Sequence, residues 1–203
     1  MARPRSARAH KQVLDAALEL FAERGIESTS MDSIAGLSRV SKATIYKHWA
    51  DKDALCLEAM VHLHGLDKQP PLFESGDLRA DLIAFLKYRP AEERPELHNR
   101  LMPHLIAYSA HNRAFGNAWR SRFMEPSRAQ ISKLLNEAIE TGELSRDLNI
   151  SVGVAMIMGP MLYRHIFSGI HGDVPQDLPE LVVNALWKAY RAAKPARNAA
   201  RNN

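Results

Sequence analysis

Between Ser41 and Lys52 the chain sets three lysines, a histidine and three hydroxyl side chains within a short stretch: Ser41, Lys42, Thr44, Tyr46, Lys47, His48 and Lys52. Ammonium and hydroxyl groups are the usual partners of phosphate oxygens, and a small residue such as Ala43 lets a backbone approach a groove floor. Ser41 can cap a helix whose N-terminus adds partial positive charge. On that helix Ile45 and Trp49, four apart, turn inward, while Lys42, Ala43, Thr44, Tyr46 and Lys47 are exposed. Lys42, Lys47, His48 and Lys52 then form a cationic strip. Tyr46 and Trp49 read equally as core aromatics, and the lysines as a solvated face, if this stretch is taken alone.

Other chemistries fit poorly. Of the nine histidines, His62 and His64 are two apart and point to different sides of a helix, and His98, His104 and His111 lack the i, i+4 spacing of a helical zinc pair. The single cysteine, Cys56, excludes an intramolecular disulfide framework and suits a reducing compartment, with the cytoplasm the expected location. It reads as a small buried hydrophobe. No Gly-rich phosphate loop, HExxH or G-x-S-x-G occurs, so no enzyme activity, cofactor or metal is expected. The most apolar stretch, Val152 to Tyr163, falls short of the roughly 20 residues that cross a bilayer.

The elements that must carry these residues are helical throughout. Val13, Leu14, Ala17, Leu20 and Phe21 follow the i, i+3, i+4, i+7 rule from about Arg8 to Arg24, and Gly25 supplies the stop. Thr29-Ser30-Met31-Asp32 has the form of a capping box, with either hydroxyl able to cap a short helix through Ile34, Ala35 and Leu37. A third helix follows Ser41, and Asp51 caps a fourth containing Leu55, Leu57, Met60 and Val61. The segment from Gly65 to Gly76 is the expected boundary. Beyond it helices are predicted at 77–88, 97–109, 112–124, 127–141, 149–169 and 178–193, with Pro103, Pro126 and Pro160 among the punctuating or kinking residues. The whole is an all-α chain of roughly nine to ten helices. Arg3, Arg5 and Arg8 precede the first acid, and this free basic arm could enter a minor groove. The last ten residues, rich in Ala, Arg and Asn, read as disordered.

Val13 to Gly25, Thr29 to Ala35, Val40 to Trp49 and Asp51 to Leu55, in this order and spacing, resemble the N-terminal domain of the TetR/AcrR family over about fifty residues. The resemblance implies a three-helix DNA-binding domain at 1–52 and a helical effector-binding and dimerising body at 53–203. It further implies that Thr29 or Ser30 touches phosphate, that Ser41, Lys42, Ala43 and Thr44 face the groove, and that Tyr46, His48 and Lys52 meet the backbone. The expected activity is a ligand-responsive repressor that binds a palindromic operator as a homodimer. The family usually has glycine where this chain has Arg39, and Gly36 lies inside the second helix instead. Two readings stay open: the strain weakens the domain, so that Arg39→Gly improves it, or Arg39 reaches a phosphate and its strain is tolerated.

The body offers two sets of candidates. Phe85, Tyr88, Tyr108, Phe115, Trp119 and Phe123 recur at helical spacing and, by family analogy, line an effector pocket with Met102 and Leu105 as filler. The effector would be small and apolar or amphipathic. Residues 150–169 are apolar on nearly all sides, and by the same analogy Met158, Met161, Leu162 and Phe167, with Leu186, Trp187 and Tyr190, form a dimer interface. An internal core helix is the competing reading. A body that answers to a partner protein rather than a small molecule is equally compatible with these residues.

Overall fold

A computed structural model describes residues 4–65, 71–88, 94–171 and 175–192. Among them are ten α-helices and one π-helical segment, and the only β pairing is a single bridge between Leu144 and Arg191. The described parts of Met1–Leu72, Tyr88–Pro126 and His165–Gly169 form one compact unit; those of Phe73–Lys87, Ser127–Arg164 and Ile170–Asn203 form another.

In the first unit, α1 (Pro4–Arg24) buries Val13, Leu14, Ala17, Leu18 and Phe21 along one stripe. Proline is tolerated in its first turn because no intrahelical donor is lost there, and Gly25 at φ 82 ends it. The helix starts earlier than the periodicity predicts. The arm expected to be free before Lys11 is therefore helical from Pro4, and it includes the backbone of Arg5, whose side chain lies outside the described residues, as does all of Arg3. α2 (Met31–Ser38), α3 (Lys42–Tyr46) and α4 (Lys52–His64) follow as expected. α6 (Pro95–His111) and α7 (Arg113–Trp119) share one core with them: Ile34, Ile45, Trp49, Leu55, Leu101, Leu105 and Phe115 are all buried together with Phe21.

Pro126 does not break the chain as predicted. From Arg113 to Glu140 the backbone stays helical, passing from α7 through the π segment Arg120–Met124 into α8 (Glu125–Glu140). Proline offers no N–H and its ring crowds the carbonyl four residues back. A π turn widens the helix just there, with the Glu125 N–H reaching Arg120 O.

In the second unit α5 (Leu78–Lys87) lies against α10 (Leu178–Ala189), joined by Lys87 to Glu180 at 2.8 Å and by Arg79 Nε to Asn184 Oδ1 at 2.8 Å. Leu82, Leu134, Leu135, Val154, Ile157, Val183 and Leu186 form its core with α8 and α9 (Ile150–His171). Gly153 permits close packing: a Cβ there would stand 3.0 Å from Leu135 Cδ1. α10 ends four residues short of the predicted 193. The chain after it pairs instead with the α8–α9 loop, Ser145 N–H to Tyr190 O at 2.7 Å and Ala192 N–H to Glu143 O at 3.2 Å. The last ten residues lie outside the described ones.

Two glycines predict opposite effects. A Cβ on Gly116 would sit 2.2 Å from the Ser109 carbonyl oxygen, so Gly116→Ala must force α6 and α7 apart, costing about 1–3 kcal/mol or more. A Cβ on Gly36 meets nothing within 4 Å in the middle of α2, so Gly36→Ala should stabilise by about 1 kcal/mol. Thermal melts of the two variants should move in opposite directions from the parent.

Candidate nucleic-acid interface

The geometry begins with two caps. Ser30 Oγ accepts the Ser33 N–H at 3.1 Å while Ser33 Oγ accepts the Ser30 N–H at 3.2 Å, a reciprocal box that fixes the start of α2. The partner is Ser33, one residue beyond the expected Asp32. Thr29 is not on the surface: it is buried, and its hydroxyl donates to Gly25 O at 2.7 Å, so its side chain is withdrawn from any phosphate. Ser41 Oγ accepts the Thr44 N–H at 3.2 Å and lies 2.9 Å from Thr44 Oγ1 at the start of α3.

Around α3 the inward and outward residues separate as expected. Ile45 and Trp49 are buried, and the Trp49 indole donates to Glu58 Oε2 at 2.6 Å. His10 Nε2 lies 3.0 Å from the other oxygen of Glu58, its ring 4.7 Å from Trp49 and 5.5 Å, edge-on, from His48. Ser41, Lys42, Ala43, Tyr46, Lys47 and His48 are exposed and Thr44 is half-buried. Tyr46, at 48% exposure, is thus not a core aromatic.

Two of the lysines have partners that the sequence does not announce. Lys42 Nζ lies 2.8 Å from Asp32 Oδ1 on α2, and that carboxylate raises the lysine pKa further. Lys52 Nζ donates to the carbonyls of Glu27 and Thr29, both at 2.9 Å, which ties the first turn of α4 to the loop between α1 and α2. Between α2 and α3, Arg39 has φ 57 and ψ 26 and is the only non-glycine residue with positive φ among the described residues. For an L-residue that backbone costs roughly 1 kcal/mol or more.

Next to Lys52, Asp53 faces the other way. Its Oδ1 accepts the Tyr108 hydroxyl at 2.7 Å and its Oδ2 accepts the Asn112 amide at 3.1 Å. Asn112 also caps α7 by accepting the Phe115 N–H at 3.0 Å. Burial, then the hydrogen bond to Asp53, pushes the Tyr108 phenol up to about 12. Burial likewise pushes the Cys56 thiol up, as suits an unreactive core position.

The effector candidates fall in both units. Met102, Leu105, Phe115 and Trp119 are buried in the first core, with Tyr108 and Phe123 packed on it. Tyr88 is half-buried in that unit. Phe85 belongs to the second unit, 5.6 Å from Phe73. Leu105, at 0% exposure, is core rather than adaptable lining.

Among the dimer candidates Leu186 needs correction. It is 1% exposed because the inner face of α10 runs through Val183 and Leu186, and it is closed within the chain. Met158, Trp187 and Tyr190 are partly covered by the same core, and Met161, Leu162 and Phe167 are half-buried. The exposed row includes Val152, Met156, Tyr163 and Ile166 on α9 and Leu181 on α10. Among the described residues no group of three or more His, Cys, Asp or Glu side chains could hold a metal ion. His64 Nε2 and His98 Nδ1 are hydrogen-bonded at 3.0 Å.

A capped short helix, a tight turn and a second capped helix with an exposed cationic face, carried on an all-helical chain, define a helix-turn-helix regulator. Residues 13–59 match the profile of bacterial regulatory proteins of the TetR family, and residues 72–186 match that of the tetracyclin repressor-like C-terminal domain. The chain belongs to the TetR family of transcriptional regulators. It is 32% identical over 185 residues to YdeS, an uncharacterised HTH-type transcriptional regulator of Bacillus subtilis, covering 90% of each chain. It is also 32% identical over 139 residues to the DNA-binding transcriptional repressor TetR of Mycobacteroides abscessus, covering 68% of this chain and 71% of that one. The solved SmeT–triclosan complex shares the fold at a TM-score of 0.64 and 19% identity, over 90% of this chain and 91% of that one. These relatives are regulators rather than enzymes. No described helix is long and apolar enough to cross a membrane.

The raised Tyr108 pKa gives a pH dependence with a definite sign. A phenol that holds its proton more tightly when folded contributes stability that is complete below its ordinary value of 10.0 and is lost as pH rises through about 12. Denaturant midpoints measured across that window should fall more steeply for the parent than for Tyr108→Phe, and identical profiles would contradict the assignment.

Proposed function

We propose that the protein is a repressor that binds palindromic double-stranded operator DNA as a homodimer and leaves it when a small apolar or amphipathic effector binds. The observation that carries this reading is the face presented by α3 and its flanks: Ser41, Lys42, Ala43, Tyr46, Lys47 and His48 are exposed from its cap through the turn that follows it, while Ile45 on α3 and Trp49 just after that turn are buried. Residues 1–52 serve as the reading head, with Arg5 in its N-terminal helix and Ser30 at the start of α2. Residues 53–203 serve as the body. The relative named as a DNA-binding transcriptional repressor supports repression over activation.

In the dimer two copies of α3 meet half-sites one helical turn or a multiple apart. The exposed row on α9 and α10 is the surface assigned to the partner copy, with Met158, Met161, Leu162, Phe167, Trp187 and Tyr190 beside it. The effector's surroundings are drawn, within the first unit, from Tyr88, Met102, Tyr108, Trp119 and Phe123. SmeT is a fold neighbour solved as a complex with triclosan, which supports a small ligand for this architecture. Nothing in this activity needs a cofactor, and the site of action is the cytoplasm.

Coupling runs through the first turn of α4. Lys52 holds the head by two carbonyls and Asp53 holds the α6–α7 corner through Tyr108 and Asn112. An effector that moves Tyr108 draws on Asp53 and therefore on the head. By linkage, whatever factor the effector takes from operator affinity, the operator takes from effector affinity.

The test is a titration of the full chain with its own upstream intergenic DNA and with random DNA across salt concentrations. Tight, salt-sensitive and selective binding, weakened by Tyr46→Ala and Lys47→Ala, is the expected outcome. Asp32→Asn should strengthen binding and steepen the salt dependence, because it releases Lys42 toward phosphate. Binding to the upstream DNA no tighter than to random DNA would overturn the operator assignment.

A further inference from the structure

We infer that Arg39 is a DNA-phosphate contact: its guanidinium, carried on the turn between α2 and α3, clasps a phosphate flanking the groove that α3 enters. The inference rests on the operator-binding reading and adds to it a contact from outside both helices.

Three observations meet at this residue. Arg39 holds a left-handed backbone, φ 57 and ψ 26, which an arginine adopts only under strain and a glycine adopts without it. The turn itself is held without the arginine side chain, since Ser38 Oγ accepts the Val40 N–H at 3.3 Å and Ser38 is buried. Arg39 is exposed, and among the described residues it has no hydrogen-bond or ion-pair partner. No contact of its side chain among the described residues offsets the strain. A strained backbone that supports no internal contact points to one made outside the molecule.

Placement and charge say what that contact is. Two residues after Arg39 comes Ser41, the cap of α3, so the two Cα atoms stand within about 7 Å of each other and a long side chain reaches past the cap. The nearest cation on α3, Lys42, is already paired with Asp32 at 2.8 Å. That pairing also occupies the acid of α2, so Arg39 has no carboxylate there to turn to. Its planar fork matches two phosphate oxygens, and a phosphate needs no particular base beside it. The contact therefore contributes affinity without sequence preference.

The experiment compares the parent with Arg39→Gly, Arg39→Asn and Arg39→Lys, all as full chains, on upstream and random DNA across salt. Glycine and asparagine both accept the left-handed backbone, and neither carries charge. Arg39→Gly should raise Tm by about 2–4 °C while binding DNA more weakly, separating folding from recognition. With one contact in each half of a dimer, both uncharged variants should lose about 1.8 from the slope of log K against log salt and roughly thirtyfold in affinity near 0.15 M salt. The loss should be the same on both DNAs, and Arg39→Lys should keep most of the slope. Parent-like affinity and slope in Arg39→Asn would overturn this inference alone, and a loss confined to upstream DNA would overturn the phosphate assignment in favour of base contact. A parent that does not prefer its upstream DNA overturns the operator reading, and this inference with it.

Discussion

Five residues of α-helix cannot hold themselves, and α3 is five residues of α-helix. Nucleation alone leaves isolated helices of fewer than about 12–15 residues marginal in water, so α3 owes its existence and direction to what it buries. Ile45 on it and Trp49 just after it supply about 2–3 kcal/mol each by the usual area relation. The Trp49 indole would forfeit part of that gain were its N–H left unpaired, and Glu58 on α4 accepts it. Everything exposed on α3 is thereby free to be polar. Apart from the cap shared by Ser41 and Thr44, the Lys42–Asp32 ion pair and the His48 ring against His10 and Trp49, the side chains that could meet a phosphate take no part in holding the helix.

The same economy appears at the start of α4, where three consecutive residues do three different things. Asp51 caps the helix by accepting the Ala54 N–H at 2.7 Å. Lys52 draws two loop carbonyls toward it, and Asp53 accepts two donors from α6 and its following turn. Successive side chains on a helix point about 100° apart, so neighbours in sequence can pull on different parts of the core. A rotation or shift of this single turn cannot spare either set of bonds. Any ligand that prefers one arrangement of Tyr108 has, through Asp53, a preference for one arrangement of α4.

Much of this was legible in the sequence, for reasons that differ by residue. Helical periodicity records which side chains leave water, so Val13, Phe21, Ile45 and Trp49 were correctly placed inside, and cap chemistry is local, so Ser41 and Asp51 declared their helix starts while α2 was left between Thr29 and Ser30. What periodicity lacks is the identity of the partner. Lys52 reads as a surface cation until the loop carbonyls of Glu27 and Thr29 are brought to it, and Lys42 reads as unpaired until α2 turns Asp32 toward it. Thr29 beside Ser30 illustrates the limit most sharply: two adjacent hydroxyls of equal chemistry, one a cap and one buried, separated only by the tertiary course of the chain. Pro126 was read as a break because proline disfavours the interior of an α-helix, yet with the π segment Arg120–Met124 before it the helix runs on.

The apolar helices of the second unit set a problem that composition could not solve. α9 is apolar nearly all round, and on α10 Leu181, Val182, Val183, Leu186 and Trp187 offer more hydrophobic positions than one face can bury. A hydrophobic pattern of that width says that two surfaces must be covered, but it does not say which residues serve the chain itself. Packing decides: Val154, Ile157, Val183 and Leu186 close on α8 and α5, which leaves Val152, Met156, Tyr163 and Leu181 outward. The leucine of α10 left exposed is therefore Leu181. Leu186, five residues on, was assigned to the interface by family analogy, yet it falls on the same face as Val183 and is buried within the chain.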